Sequence, residues 1–274
     1  MSVISAWQMQ LLQNTGYIIL NVLAFIFLWF FAYRAANSFN FSSTGTVLFL
    51  VGLTISFIAG ARFFHILFYS ETEWSLLFEP VPYGFSLFGG LLSAVIYLFA
   101  AAWKHKLHLW HLLDVNAPGL IGYVAISKIG CFINGCCFGT PTIMPWGIPY
   151  TAGSQAYQYY IAGTLNNLDF HTWKVYSDLI HPVQIYESVI ALLFLLIALA
   201  LLRRKVMPGL VFLFITGIYS LTRLGLLSLR ANTEMGTFFY MLPWLYIAVA
   251  SLSLLILMQR LYFQYKLVNR GSDL

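Results

Sequence analysis

The sequence predicts an all-α, polytopic membrane protein with about seven transmembrane helices, and three observations lead there. Hydrophobic residues fill 60 % of the 274 positions and charged residues 8 %, whereas about 25 % of a soluble domain is charged. The apolar stretches run on for about 20 residues, enough to cross a hydrocarbon core of about 30 Å as a helix. The alternating apolar and polar pattern of a membrane barrel is absent. Helices and closed barrels are the two structures that satisfy their own backbone groups in lipid, so helices remain.

The spans are read at roughly 16–36, 44–69, 83–103, 109–133, 183–202, 208–229 and 239–258. The first ends beside Arg34, the third before Lys104 and Lys106, the fifth at Arg203, Arg204 and Lys205, and the seventh before Arg260, Lys266 and Arg270. These cations all fall on one side of the membrane, which the excess of Lys and Arg in cytoplasmic loops assigns to the cytoplasm. Glu71, Glu73, Glu79, Asp169, Asp178 and Glu234 fall on the other side. The N-terminus is therefore expected outside and the C-terminus inside. No basic n-region or small-residue cleavage site precedes the first span, so no removable signal peptide is expected.

Residues 1–274 read as a single integral membrane domain with a long outer connection at about 139–181. A connection of that length is usually functional or carries short structure of its own. Its Trp146, Tyr150, Tyr157, Tyr159, Tyr160 and Trp173 suit an aromatic belt at the headgroup level. The formal net charge of +5 does not indicate a nucleic-acid partner, because the basic residues are spread as topology signals and single membrane-depth residues. A transporter is disfavoured by the lack of an internal repeat or paired interrupted helices.

Several polar residues fall inside the spans, where a charge is costly unless it faces a cavity or a partner. Lys128 lies about 14 residues, or roughly 21 Å, beyond Asp114 at the cytoplasmic start of the fourth span, and so in the outer half. Arg62, Arg223 and Arg230 fall toward the same leaflet, Glu187 is about two turns below His181, and Gly89 and Gly90 are at similar depth. Four cations against one carboxylate suggest an anionic partner, for which a phospholipid phosphate is suited. The alternative is that the cations pair with Glu187 and helix carbonyls, or snorkel to the interface. Asp114 is expected to cap a helix or to make a structural pair.

The ordered set Asp114, Ala117-Pro118, Lys128-Ile129-Gly130, Phe132-Ile133-Asn134-Gly135, Gly139, Pro145-Trp146-Gly147 and His181-Pro182-x-Gln184-x-Tyr186-Glu187 resembles the signature of prolipoprotein diacylglyceryl transferases. Weaker echoes occur at Gly60-Ala61-Arg62, Ser86-Leu87-Phe88-Gly89-Gly90 and Arg223 to Arg230. The resemblance implies transfer of the diacylglyceryl group of phosphatidylglycerol to the lipobox cysteine thiol of a preprolipoprotein, at the outer leaflet of a bacterial plasma membrane. Its partners would be phosphatidylglycerol or a similar anionic phospholipid, the preprolipoprotein and membrane lipid, and no cofactor is expected. On this likeness Lys128, Asn134, Arg223, His181 and Glu187 are the expected catalytic residues, and Arg62, Gly89, Gly90, Gly135, Tyr186 and Arg230 the lipid-binding ones.

Three positions depart from the family pattern. Phe88 stands where the family has a histidine, Lys128 where it has an arginine, and Leu227 where it has an acidic residue. The departures leave open a related phospholipid-dependent transferase acting on a different thiol or alcohol, and a non-catalytic lipid-binding membrane protein. With the family histidine absent, His181 is the candidate general base, its other reading being a cap on the fifth span.

Cys131, Cys136 and Cys137 admit several readings. Cys131 paired with Cys136 or Cys137 would brace the loop; a thiolate beside Lys128 would serve as base or nucleophile; or all three pack as small apolar residues. No metal is expected, since the spacing lacks a paired C-x2-C pattern, a site of the three thiols joined by His181 being the weaker reading.

Overall fold

A computed structural model describes residues 6–69, 85–151, 154–165, 178–204, 206–231 and 238–271. Glu71, Glu73, Glu79, Asp169, Trp173, Lys205 and Glu234 lie outside the described residues. Eight helices are described: α1 (Ala6–Ser38), α2 (Ser43–Tyr69), α3 (Leu87–Lys104), α4 (Leu109–Asn134), α5 (Gln155–Leu165), α6 (Val183–Arg203), α7 (Leu210–Leu227) and α8 (Phe238–Gly271). All but α5 are long and apolar enough to cross a membrane, which makes the chain a multi-pass membrane protein. Among the described residues the only extended pairing is three isolated bridges.

The observed ends have local causes. Helix α3 starts at Leu87, later than expected, because Ser86 is its N-cap, with an extended backbone and a side-chain oxygen that accepts the Gly89 N–H at 3.4 Å. A serine in that place satisfies one of the donors that the first helical turn leaves orphaned. Helix α5 is the short structure expected inside the connection at 139–181.

Helix α4 differs from the other membrane helices in being enclosed by protein: 78 % of its span is buried, against 22–33 % in the other six. Asp114, Asn116, Ser127 and Lys128 are therefore carried on a helix where protein groups, not lipid, meet them. The lipid-facing surface is supplied by residues such as Leu192, Leu193 and Leu196 of α6 and Leu252, Leu254 and Leu255 of α8.

Packing divides the residues into two compact units, each described by itself. The first comprises Met1–Phe27, Gly122–Leu193 and Leu226–Thr233; the second comprises Leu28–Ile121, Phe194–Gly225 and Glu234–Leu274.

Within the second unit, α2 and α3 approach closely. A side chain at Gly89 would run into Phe64 and the Gly60 carbonyl, and one at Gly90 would meet the Phe57 ring at 2.6 Å. The faces these glycines leave open are thus filled by α2. Asp114 is buried, and its carboxylate accepts the Gly209 N–H at 2.6 Å and the Phe212 N–H at 2.8 Å. It caps the start of α7, where orphaned donors and the positive end of the helix dipole favour an anion. Asp114→Ala is expected to cost about 2 kcal/mol of stability. The thermal unfolding midpoint in detergent checks this, and an unchanged midpoint would contradict it.

Candidate functional site

In the first unit, polar rungs tie three helices together. Asn21 of α1 fixes its amide by donating to the Tyr17 carbonyl at 2.9 Å, and its side-chain oxygen accepts from Ser127 at 2.9 Å and Tyr123 at 3.3 Å, both on α4. Ser188 of α6 donates to the Ala125 carbonyl of α4 at 2.8 Å. One turn along, Lys128 of α4 forms an ion pair with Glu187 of α6 at 2.5 Å, the two side chains being 4 % and 1 % exposed. A pair so deeply desolvated holds its geometry firmly, because separating the charges would leave each without compensation.

The end of α4 shapes the turn beyond it. Gly135 takes a left-handed φ of 67°, and the Cys136 N–H donates back to the Cys131 carbonyl while the Gly135 N–H donates to that of Phe132, both at 3.1 Å. This is a Schellman termination, which a glycine adopts without steric penalty. It folds Cys136 back over Cys131. Cys137 is also left-handed, with φ 57°, an unusual conformation for a residue with a side chain. As a result the sulfurs of Cys131, Cys136 and Cys137 lie within 4.8 Å of one another, and all three are free thiols. Hydrogen bonds from Cys131 and then Cys136, with the nearby Lys128 and Arg230 cations, hold the Cys137 thiol well below the usual thiol range.

The chain then threads between two other segments. Gly139 donates to the His181 carbonyl at 3.1 Å, His181 donates to Thr140 at 3.0 Å, Thr140 donates to Leu229 at 2.8 Å, and Ala231 donates to Phe138 at 3.2 Å. The bridge between Gly139 and Arg230 completes this arrangement. A Cβ at Gly139 would meet the His181 carbonyl oxygen at 2.5 Å and the Leu229 carbonyl oxygen at 2.7 Å, so the approach needs a glycine. Beneath the thread, Phe138, Tyr150, Ala156, Ile180 and Ala231 form a small core. His181 and Arg230, 49 positions apart in sequence, are thereby set on either side of one extended segment.

The first turn of α6 presents the remaining side chains. Gln184, fully buried, donates to the Cys136 carbonyl at 2.7 Å and meets the Tyr150 hydroxyl at 3.1 Å. Burial pushes the Tyr150 phenol up to about 12, so it acts as a neutral hydrogen-bonding group. His181 Nδ1 lies 3.3 Å from the Tyr186 hydroxyl. Asn134 is the last residue of α4, at the start of the turn that carries Cys136 and Cys137.

Of the residues singled out in the sequence, Lys128, Asn134, Gly135, His181, Tyr186, Glu187, Arg230 and the three cysteines all belong to this first unit. Arg62, Gly89, Gly90 and Arg223 belong to the second. There Arg62 is buried, with its guanidinium 5.5 Å from the centre of the Phe85 ring, and Arg223 donates to the Tyr246 hydroxyl at 3.1 Å. Phe88 is half-buried, edge-on to Phe64 at 5.7 Å between ring centres. Tyr150 is a core residue and not the belt aromatic it was expected to be, because its ring closes over Phe138 and its hydroxyl finds Gln184. Trp146 and Tyr159 are exposed, as a belt requires. Sequence reasoning passed over Asn21. A single carboxamide in the midst of an apolar span was the available signal.

The profile of the family described as prolipoprotein diacylglyceryl transferase matches residues 5–262. Among curated proteins, the chain is 28 % identical over 202 residues to the phosphatidylglycerol--prolipoprotein diacylglyceryl transferase of Tropheryma whipplei (strain Twist), covering 70 % of this chain and 68 % of that protein. It is 30 % identical to the protein of the same name from Geobacter sulfurreducens, covering 77 % and 76 %. The Acaryochloris marina counterpart is 32 % identical, with 68 % and 64 % covered.

Proposed function

Because the chain belongs to the prolipoprotein diacylglyceryl transferase family, we propose that it transfers the diacylglyceryl group of phosphatidylglycerol to the lipobox cysteine thiol of a preprolipoprotein. The reaction takes place at the outer leaflet of a bacterial plasma membrane, with the N-terminus outside and the C-terminus cytoplasmic. The observation that carries this reading is the buried pair of Lys128 and Glu187 at the family's signature positions, with Lys128 and Arg230 both close enough to Cys137 to act on its thiol.

In the reaction the acceptor sulfur forms a bond to the terminal glycerol carbon and the bond from that carbon to the phosphate oxygen breaks. Glycerol phosphate leaves with the electron pair, and the thiol proton passes to a base. Lys128 and Arg230 stabilise the negative charge that grows on the departing phosphate, as fixed donors do wherever charge develops. Glu187 sets the Lys128 ammonium in place, and Asn134 supplies a polar hydrogen-bonding group at the mouth of the site. His181, steadied by Tyr186, takes the thiol proton, as a positioned imidazole nitrogen does in general base catalysis. Gly135, where a side chain would run into Ser154, acts by shaping the turn beyond Asn134 and does not face the lipid. In the second unit Arg62 and Arg223 are cations of a kind suited to phosphate, and the close face of Gly89 and Gly90 fixes α3 against α2.

Phe88 and Leu227, in place of a histidine and an acidic residue, favour one second reading: the same lipid donor with a different thiol or alcohol acceptor. A cell depleted of its own transferase separates the two. Expression of this chain is expected to restore growth and lipoprotein maturation. Absence of rescue by a chain that reaches the membrane and still binds phosphatidylglycerol would overturn the lipobox assignment in favour of the other acceptor.

A further inference from the structure

Three thiols that converge on one point need an explanation, since small apolar packing does not require it. The convergence is built from three separate backbone features. Cys131 sits in the last turn of α4, the Schellman bond from the Cys136 N–H to the Cys131 carbonyl folds the second thiol over the first, and the left-handed Cys137 turns the third toward both. A left-handed residue with a side chain costs about 1–2 kcal/mol and persists where the surroundings over-determine it, which happens chiefly at binding and reactive sites. The Cys136 carbonyl is itself held by the buried Gln184 amide at 2.7 Å. The turn is therefore fixed from outside.

From this arrangement we propose that Cys131, Cys136 and Cys137 together bind one soft, thiophilic d10 metal ion, Cu(I) or Zn(II), as thiolates. Three sulfurs around such an ion at about 2.3 Å stand about 4 Å from one another. The present separations, all within 4.8 Å, need only a small contraction. Thiolate sulfur selects these ions over the hard cations that prefer oxygen. Cu(I) is satisfied by the three sulfurs alone, while Zn(II) adds a water or a further side chain. Binding releases the thiol protons and changes no oxidation state. Among the described residues the group contains thiols only, so His181, which the sequence offered as a possible fourth ligand, stands outside it. Lys128 and Arg230 beside Cys137 offset the negative charge of the thiolate cluster. The cluster shares Lys128 and Arg230 with the proposed lipid chemistry, but metal uptake is read from the thiols alone and does not require transfer to occur.

The test uses the full-length protein in detergent, stripped of metal and kept reduced with a phosphine. Cu(I) is titrated against a chromophoric Cu(I) chelator and, separately, Zn(II) against a Zn(II) indicator. One equivalent per chain is expected with at least one of the two ions, and Cys131→Ser, Cys136→Ser or Cys137→Ser should each weaken binding by about 100-fold or more. Equal binding by the triple serine variant would overturn the proposal. So would a wild-type protein that takes up neither ion. A second measurement needs no variant: the chain has three cysteines, and bound metal should protect all three from maleimide, counted by mass. Protection of two or fewer, or isolation of the thiols as a disulfide that forms equally in the presence of metal, would sink it.

Discussion

Lys128→Ala is expected to abolish diacylglyceryl transfer and to lower the stability of the folded protein by about 3–5 kcal/mol. The second effect arises from where the partner is left. Glu187 is 1 % exposed, so removal of the ammonium strands a carboxylate away from water with its main counter-charge gone. The two effects come apart in the double variant Lys128→Met with Glu187→Met. Replacing a buried ion pair by apolar side chains of similar size is often close to neutral, so the unfolding midpoint should return to near the wild-type value while transfer stays lost. Lys128→Arg, which restores the residue the family signature carries here, should keep both the pair and the activity. Transfer by the double methionine variant at the wild-type rate would make the pair purely structural.

Gly139→Val should be nearly as damaging, for a different reason. Its Cβ would be pressed between two backbone carbonyls, those of His181 and Leu229. Neither is the yielding tip of a side chain, so relief requires the three segments to separate. Overpacking of this kind costs about 1–3 kcal/mol. Each bridge hydrogen bond lost adds about 1 kcal/mol. His181 and Arg230 would move apart with the segments, so transfer should fall by more than about tenfold, since a displacement of about 1 Å in a reacting constellation is enough for that. Midpoint and transfer rate measured on the same preparation check this. A variant of normal stability and normal rate would show that the thread does not position those residues.

What the sequence disclosed and what it withheld divide along a physical line. The membrane helices were legible because an apolar run of about 20 residues is a local property; α1 and α8 run on beyond their apolar stretches, and the start of α3 is set by its Ser86 cap. Asp114 was legible as a capping residue, but the first N–H it holds, that of Gly209 just before α7, is 95 positions away. The motif residues of the first unit could be picked out singly. Their partners could not. That Lys128 meets Glu187 depends on the register of α4 against α6, which no local period encodes. The role of Asn21 depends in the same way on α1 against α4. The thiol cluster was obscured because the spacing of Cys131, Cys136 and Cys137 matches no paired-cysteine pattern. It forms only when a glycine and a cysteine both take left-handed backbone angles.

If the buried lysine and glutamate at the family's signature positions serve lipid transfer, the most direct measurement is transfer of label from glycerol-labelled phosphatidylglycerol to a lipobox peptide. The purified protein is run beside the Lys128→Met, Glu187→Met double variant. Labelled peptide with the wild type, and none with a stably folded double variant, is the predicted result. A wild-type protein that labels no peptide while it remains folded and supplied with phosphatidylglycerol would contradict the account.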